Sequence, residues 1–506
     1  MDNKLQTANS GILRAAVLAA LALAALPAQA DEAVQDSPEA EHTQALQEVK
    51  VKGARVQGGA PAAEKINREQ IDNQMIRDTR DLVRYSPDVG IVDNGRHLKG
   101  FAMRGVEGNR VGVSIDGVNL PDFQENSLYA RYGNFNSSRP SIDPELVRNI
   151  DIVKSADSFS YGSGNLGGGV NYRTLSAADV VSGDNPFGGM VKSGYATRNR
   201  EWVNTVAAAY DGEDLEALAL YSQRYGHNFK SKGNGEDIYG DARGIPDPSE
   251  HRYHSYLGKL AYRFSPQHRA GVTVSGQQGK NNVEEKSYAV FGWRDAEDTN
   301  RRLNANVFYE WTPQESRLSR LKTEFDYAKT SVGALTQNGS FLRDSWFGPI
   351  TGKEDAYEFK DRNMKSDFKR LTLTADLTPF EAFGSHRLRL KAFGSQSDFK
   401  NVNHDTNKYG LDSWYSIQNP TRTKQYGFSL LDNVKWNDTF SGYLGLRYDH
   451  TKIKPQDFNL PCPNCTKEPL RDSTFAGWSG TLGLNAKITP TWQAGYHLSS
   501  GYRVPT

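Results

Sequence analysis

Cysteine is nearly missing: Cys462 and Cys465 are the two in a chain of 506 residues. A small disulfide-stapled scaffold is thereby excluded. Charge of one sign is missing too, with 61 Lys and Arg against 60 Asp and Glu. A dedicated nucleic-acid binder, whose footprint is a basic excess, does not fit that balance. The mean hydropathy is −0.67, and a polytopic helical membrane protein would need about 20 apolar residues for each span. No Gly-x-Ser-x-Gly elbow, phosphate loop or His-Glu-x-x-His pair occurs, so nothing supports an enzyme and no catalytic residue is assigned. No ligand set for a resident metal is found either. Glycine (47), tyrosine (24) and phenylalanine (22) are plentiful. What remains is a globular chain of several domains or a membrane β-barrel, whose strands need only alternate apolar and polar positions. The glycines and aromatics favour the barrel.

Lys4 and Arg14 flank the start of an apolar run over 15–26, closed by Pro27-Ala28-Gln29-Ala30. A basic head, a short apolar run and an Ala-x-Ala site read as a signal peptide over 1–30, with the mature chain beginning near Asp31. Residues 31–60 are polar or small and read as flexible. Within them Leu46-Gln-Glu-Val-Lys-Val-Lys-Gly53 alternates valine with charge, the pattern of a short strand seeking an edge. Residues 61–177 read as a mixed α+β unit, with a helix over 77–84, strands over 111–117 and 147–153, and glycines marking turns and close backbone approach. In an exported chain, Cys462-Pro-Asn-Cys465 reads as a small disulfide pinning a loop tip. A thioredoxin-like pair would need a βα setting, and zinc would need two further ligands.

From 186 to 506 the grammar changes. Alternating segments recur, as in Leu257-Gly-Lys-Leu-Ala-Tyr-Arg-Phe264, and predict about thirteen antiparallel strands. Tight connections such as 212–214 and 437–439 take turns with long polar ones, predicted as loops over 230–252, 280–302, 331–367, 400–422 and 453–474. Turns at one end and loops at the other are the signature of a transmembrane barrel. A soluble sandwich or propeller does not sort its loops in this way.

Signal peptide, valine box, glycine-punctuated unit and barrel, in that order, resemble the TonB-dependent outer-membrane receptors. The resemblance rests on Gly100-Phe-Ala-Met-Arg-Gly105, Val113-Ser-Ile-Asp-Gly-Val118 and Gly162-Ser-Gly-Asn-Leu-Gly-Gly-Gly-Val-Asn-Tyr172. It implies a plug domain inside an all-β barrel, of about 22 strands when complete. Its plug-motif positions here are Arg104, Gly105, Asp116, Gly117, Gly162, Gly164, Gly167 and Gly168. It also implies a TonB box over 46–53, in which Glu48, Val49, Lys50 and Val51 pair by strand addition with TonB, itself driven by an inner-membrane energising complex. Location in the outer membrane of a Gram-negative bacterium follows. Arg104, Arg110, Asp116 and Arg148 are expected as lumen ion pairs or turn formers.

Asp81-Leu-Val-Arg-Tyr85, Tyr132-Gly-Asn-Phe-Asn136 and Gly501-Tyr-Arg-Val-Pro-Thr506 resemble the haemoglobin/transferrin/lactoferrin receptor branch, and within it most the haemoglobin–haptoglobin receptors. That branch implies haem as a transported ligand rather than a permanent cofactor. Haemoglobin or a related host haemoprotein is the partner implied, and a lipoprotein co-receptor is left open. The ligand-binding candidates are Tyr129 and Tyr132 in the plug loop, where phenolate can ligate ferric haem, and His97 and His404. A receptor for a ferric siderophore or for transferrin or lactoferrin iron is the alternative; a passive porin would lack plug and box. An odd count of about thirteen strands does not close a barrel, so the sequence is expected to be part of a receptor with further strands, among them the barrel-side haem ligand.

Overall fold

The computed structural model describes residues 63–93, 99–121, 142–288, 292–345, 348–457, 460–461, 470–489 and 491–505, all within one compact unit. The sequence features at 1–62 lie outside them. Eight short strands come first: β1 (Ala63–Asn67), β2 (Val89–Asp93), β3 (Lys99–Met103), β4 (Val106–Glu107), β5 (Val111–Ile115), β6 (Val118–Asn119), β7 (Val147–Val153) and β8 (Gly168–Thr174). They form a five-stranded sheet in the order β1-β7-β8-β5-β6 and a three-stranded sheet β2-β3-β4. The strand expected over 147–153 is found there; the one over 111–117 stops at Ile115, because Asp116 and Gly117 turn the chain. The helix expected over 77–84 is one turn, Thr79–Leu82, capped by Asp78. A second helix, Arg68–Asn73, opens with an Asn67/Gln70 capping box that the sequence reading passed over.

Among the described residues fifteen strands follow in one antiparallel sheet, thirteen of them forming its continuous path in chain order. They are β9 (Phe187–Ala196), β10 (Glu201–Asp211), β11 (Leu215–His227), β12 (Ser249–Ser265), β13 (His268–Glu284), β14 (Gly292–Trp311), β15 (Leu318–Arg343) and β16 (Ile350–Leu377). After the two-residue β17 (Phe380–Glu381) come β18 (Ser385–Asn407), β19 (Asp412–Tyr415), β20 (Thr421–Lys435), β21 (Phe440–Pro455), β22 (Ser473–Lys487) and β23 (Gln493–Ser499). β17 and β19 pair only with β18; β9 and β23 are the sheet's edges.

Polarity across this sheet is inverted relative to a soluble protein. Val191, Leu371, Phe428 and Trp478 point out and are exposed, whereas Thr205, Ser222 and Ser255 face inward and are buried. These three sit in one transverse row across β10, β11 and β12. An apolar exterior satisfies lipid, and the ladder satisfies the backbone groups between paired strands. Among the described residues, no helix is long and apolar enough to cross a membrane.

Two of the expected loops are corrected. The stretches 280–302 and 331–367 are mostly strand, since β13 runs on to Glu284 and β14 begins at Gly292, while β15 reaches Arg343 and β16 begins at Ile350. β18 likewise continues to Asn407, into the stretch expected as loop from 400. β16, at 28 residues, is far longer than the ~9–11 that cross a bilayer. Beyond the bilayer both faces of a ladder are wet, so pairing continues while the apolar period of two disappears. Aromatic packing ties these projections together: Trp293 and Phe341 are buried against Tyr239 and Ile350.

Candidate functional site

The plug's two Gly-containing motifs are hairpin turns. Arg104 and Gly105 have φ of 48° and 79°, and Asp116 and Gly117 have 49° and 79°. Each pair joins residues in register, Met103 to Val106 and Ile115 to Val118. Two consecutive left-handed residues are what a two-residue hairpin of the right twist requires. Asp116 also accepts from Thr174, at 2.9 Å from its N and 2.6 Å from its Oγ1, which ties the turn to the end of β8. Arg104 reaches Asp88 at 3.3 Å, and Arg148 reaches Asp179 at 3.4 Å. Arg110 donates to the Glu107 carbonyl at 3.3 Å. All four residues thus form turns or local contacts.

The remaining motif glycines allow close approach. Gly162 (φ 80°) ends the helix Ser158–Tyr161. A Cβ on Gly167 would fall 2.7 Å from Val106, and one on Gly168 would fall 2.1 Å from the Val153 carbonyl oxygen. Gly164 donates its N–H to the Tyr502 carbonyl at 3.2 Å. This is part of a clasp in which the segment after β23 lies along the plug. Ser158 N donates to Ser500 O at 3.1 Å, Tyr502 N to Ser158 Oγ at 2.9 Å, and Val504 N to Ser163 Oγ at 2.8 Å. Two motifs more than 300 residues apart in sequence are thereby brought together.

A second attachment, which the sequence reading missed, is electrostatic. Arg224 on β11 meets the plug's Asp143 at 2.6 Å and Glu201 on β10 at 3.4 Å. His251 holds the same Glu201 at 2.7 Å. Nearby, Arg198 grips Asp81 at 2.6 Å and Asp78 at 3.2 Å, and Lys192 bridges Asp72 at 2.7 Å and Glu145 at 3.0 Å. Burial alone would raise the Asp143 and Asp81 carboxyls, but Arg224 and Arg198 respectively hold both below the ordinary range. Charged residues at lumen-facing strand positions were the available signal. His254, three residues from His251, bonds Tyr221 instead at 2.7 Å, so the two histidines diverge as strand geometry demands.

Between plug and wall lies a cavity of about 840 Å³. Asp116, Gly117 and Tyr161 bound it on the plug side, and Lys259, Arg370 and Lys391 are among its wall residues. Of the ligand candidates, His404 lies on β18 near its long-connection end, stacked on Trp414 (3.9 Å between centroids) with Nε2 2.7 Å from Asp412 Oδ1. That ring nitrogen is therefore occupied by a carboxylate. His97, Tyr129 and Tyr132 lie outside the described residues, as do Glu48, Val49, Lys50 and Val51 of the box and the Cys462/Cys465 pair. Among the described residues no cluster of His, Cys, Asp and Glu could hold a metal ion.

A polar-lined β-barrel wall with an apolar exterior, carrying a folded plug, has the architecture of a plugged outer-membrane-type receptor. Comparison with known proteins gives the family. The TonB-dependent receptor plug domain matches residues 56–169, and the TonB-dependent receptor-like β-barrel matches 239–506. The chain belongs to the TonB-dependent receptors. It is 33% identical over 523 residues to hemoglobin-haptoglobin utilization protein B of Neisseria meningitidis serogroup C, covering 93% of this chain and 64% of that protein. It is 30% identical over 322 residues to hemoglobin and hemoglobin-haptoglobin-binding protein A of Haemophilus influenzae, covering 58% of this chain and 30% of that protein. The chain thus spans less than two thirds of the length of these relatives. Among solved structures, the ferripyoverdine receptor of the Pseudomonas aeruginosa outer membrane shares the fold (TM-score 0.60, 14% identity, 88% of this chain and 57% of that one). So does the Serratia marcescens hemophore receptor HasR in complex with its hemophore and heme (TM-score 0.60, 18% identity, 88% and 64%).

Proposed function

We propose that the protein takes up haem from haemoglobin or a related haemoprotein across the outer membrane, as the receptor part of a TonB-driven system. The observation that carries this reading is the 33% identity, over 93% of the chain, to a protein named for haemoglobin–haptoglobin utilization. Haem is cargo, with no permanent cofactor. Export by the signal peptide over 1–30 and strand pairing of Glu48, Val49, Lys50 and Val51 with TonB complete the scheme. Energy has to come from the inner membrane, because a plug clasped on two sides does not leave its lumen unaided. The Cys462–Cys465 pair, as a disulfide, pins a loop in an oxidising compartment.

The test is growth with haemoglobin as sole iron source, in cells with and without functional TonB. Growth that requires both this receptor and TonB is expected. Growth on a ferric siderophore, with none on haemoglobin or haemin, overturns the reading in favour of another iron source.

A further inference from the structure

The cavity beside the plug follows one wall strand. Arg389, Lys391, Phe393, Ser395, Ser397 and Phe399 of β18 all line it. At about 3.3 Å per residue the stretch from 389 to 399 amounts to a lane on the order of 30 Å. It leads from the level of Thr421, near the long-connection end, towards the short-turn end. Aromatic rings line the same cavity, Phe393 and Phe399 with Phe368 of the neighbouring β16 and Phe308 of β14.

The cations along this lane are not equivalent. Arg370 is paired with Asp326 at 2.9 Å, Arg389 with Asp376 at 2.6 Å and Arg447 with Asp449 at 2.7 Å. Lys391 stands in one transverse row with Ser429 and Arg447. It faces the cavity, and among the described residues no carboxylate pairs with it. Arg370 and Arg447 repel it, and the weaker attraction comes from Glu324 and Asp326, which are already paired with Lys322 and Arg370. A cation with no carboxylate paired to it inside a membrane-embedded lumen is costly, and such residues mark substrate paths. Arg447 also donates to the plug's Phe159 carbonyl at 3.3 Å and stacks on Phe393 at 5.0 Å, so this level of the lane is built partly on the plug.

We propose that Lys391 is a relay site for a carboxylate of a planar, aromatic cargo passing between plug and wall. The rings supply a face for the apolar plane, and Lys391 supplies the charge that its neighbours have already spent on Asp326 and Asp449. Given the haem reading, on which this rests, the group is a porphyrin propionate. A hydrated small cation would instead be repelled at this level.

The test compares Lys391→Glu, Lys391→Gln and Lys391→Arg in the full-length receptor, displayed in cells without another haem receptor. Haemin uptake and surface binding of labelled haemoglobin are measured together. Lys391→Glu is expected to lower haemin uptake tenfold or more and Lys391→Gln several-fold, with Lys391→Arg near wild type and haemoglobin binding unchanged in all. Uptake by Lys391→Glu equal to wild type overturns the relay. Should Lys391→Glu fail to reach the surface, the neutral and the cationic variant decide: Lys391→Gln below Lys391→Arg supports it, and equality overturns it. A wild-type receptor that takes up no haemin overturns the haem reading and the relay with it, which separates the two failures.

Discussion

Arg224 of the barrel wall and Asp143 of the plug form a buried pair, with Nη2 and Nε both on Oδ1 at 2.6 and 3.0 Å. Glu201 and Glu145 stand behind Asp143, at 3.4 and 3.9 Å from the same guanidinium. One cation therefore serves three carboxylates, and its removal is the more damaging change. Arg224→Met is expected to destabilise plug docking by about 3–5 kcal/mol, the cost of leaving buried charge unpaired. Asp143→Asn should cost less, because Glu201 and Glu145 remain. Protease protection of the plug in detergent, followed against temperature, measures both. Equal loss in the two variants would show that the pair acts alone.

Asp72 gives the plug an acid-sensitive contact. Burial pushes its carboxyl up, but hydrogen bonds from Arg68 and Lys192 outweigh that and bring it from 3.8 to about 2. A carboxylate depressed on folding stabilises above its unfolded value and loses that contribution as pH falls through the folded one. Plug protection should therefore weaken between about pH 4 and 2. Asp72→Asn should be less protected at neutral pH yet lose less across that window. Parallel pH curves for the two proteins would remove Asp72 from the account.

The plug glycines should separate into two groups. A Cβ at Gly105 or Gly117 meets nothing within 4 Å, so alanine there carries only the left-handed backbone cost of about 1–2 kcal/mol. Gly168 has φ of 124°, and its added Cβ would collide with the Val153 backbone, which is held in the β7–β8 ladder. Gly105→Ala and Gly117→Ala receptors should assemble with a modest loss of plug stability. Gly168→Ala should leave the plug open to protease, and a fully protected plug in that variant would contradict the steric argument.

Val49→Pro removes a backbone donor from the box. On the proposed scheme, uptake of haem should stop while haemoglobin still binds at the cell surface, because strand addition to TonB needs the ladder and ligand capture does not. Undiminished uptake would move the coupling site elsewhere.

The barrel was legible because its signals are local. Tight turns such as 437–439 and alternation such as that of 257–264 declare themselves within about ten residues, so each expected barrel strand is found. The upper halves of β15, β16 and β18 were not legible, because a ladder wet on both faces has no apolar period to read. The turns at Arg104-Gly105 and Asp116-Gly117 were visible through their glycines. The positions that work at a distance were not: Arg224 reads as one more charged strand residue until Asp143, 81 residues away, is placed against it.

By itself, the sequence determined the order of parts, the inverted polarity of the wall and the family motifs, because each depends on neighbours along the chain. Only the tertiary structure decided which charges are spent and which are free. Lys391 and Arg370 look alike in sequence. They differ because Asp326 on the adjacent strand lies 2.9 Å from Arg370, while no described carboxylate pairs with Lys391. Pairing is set by register and by the plug's seat in the barrel, and both come from packing between segments far apart in the chain.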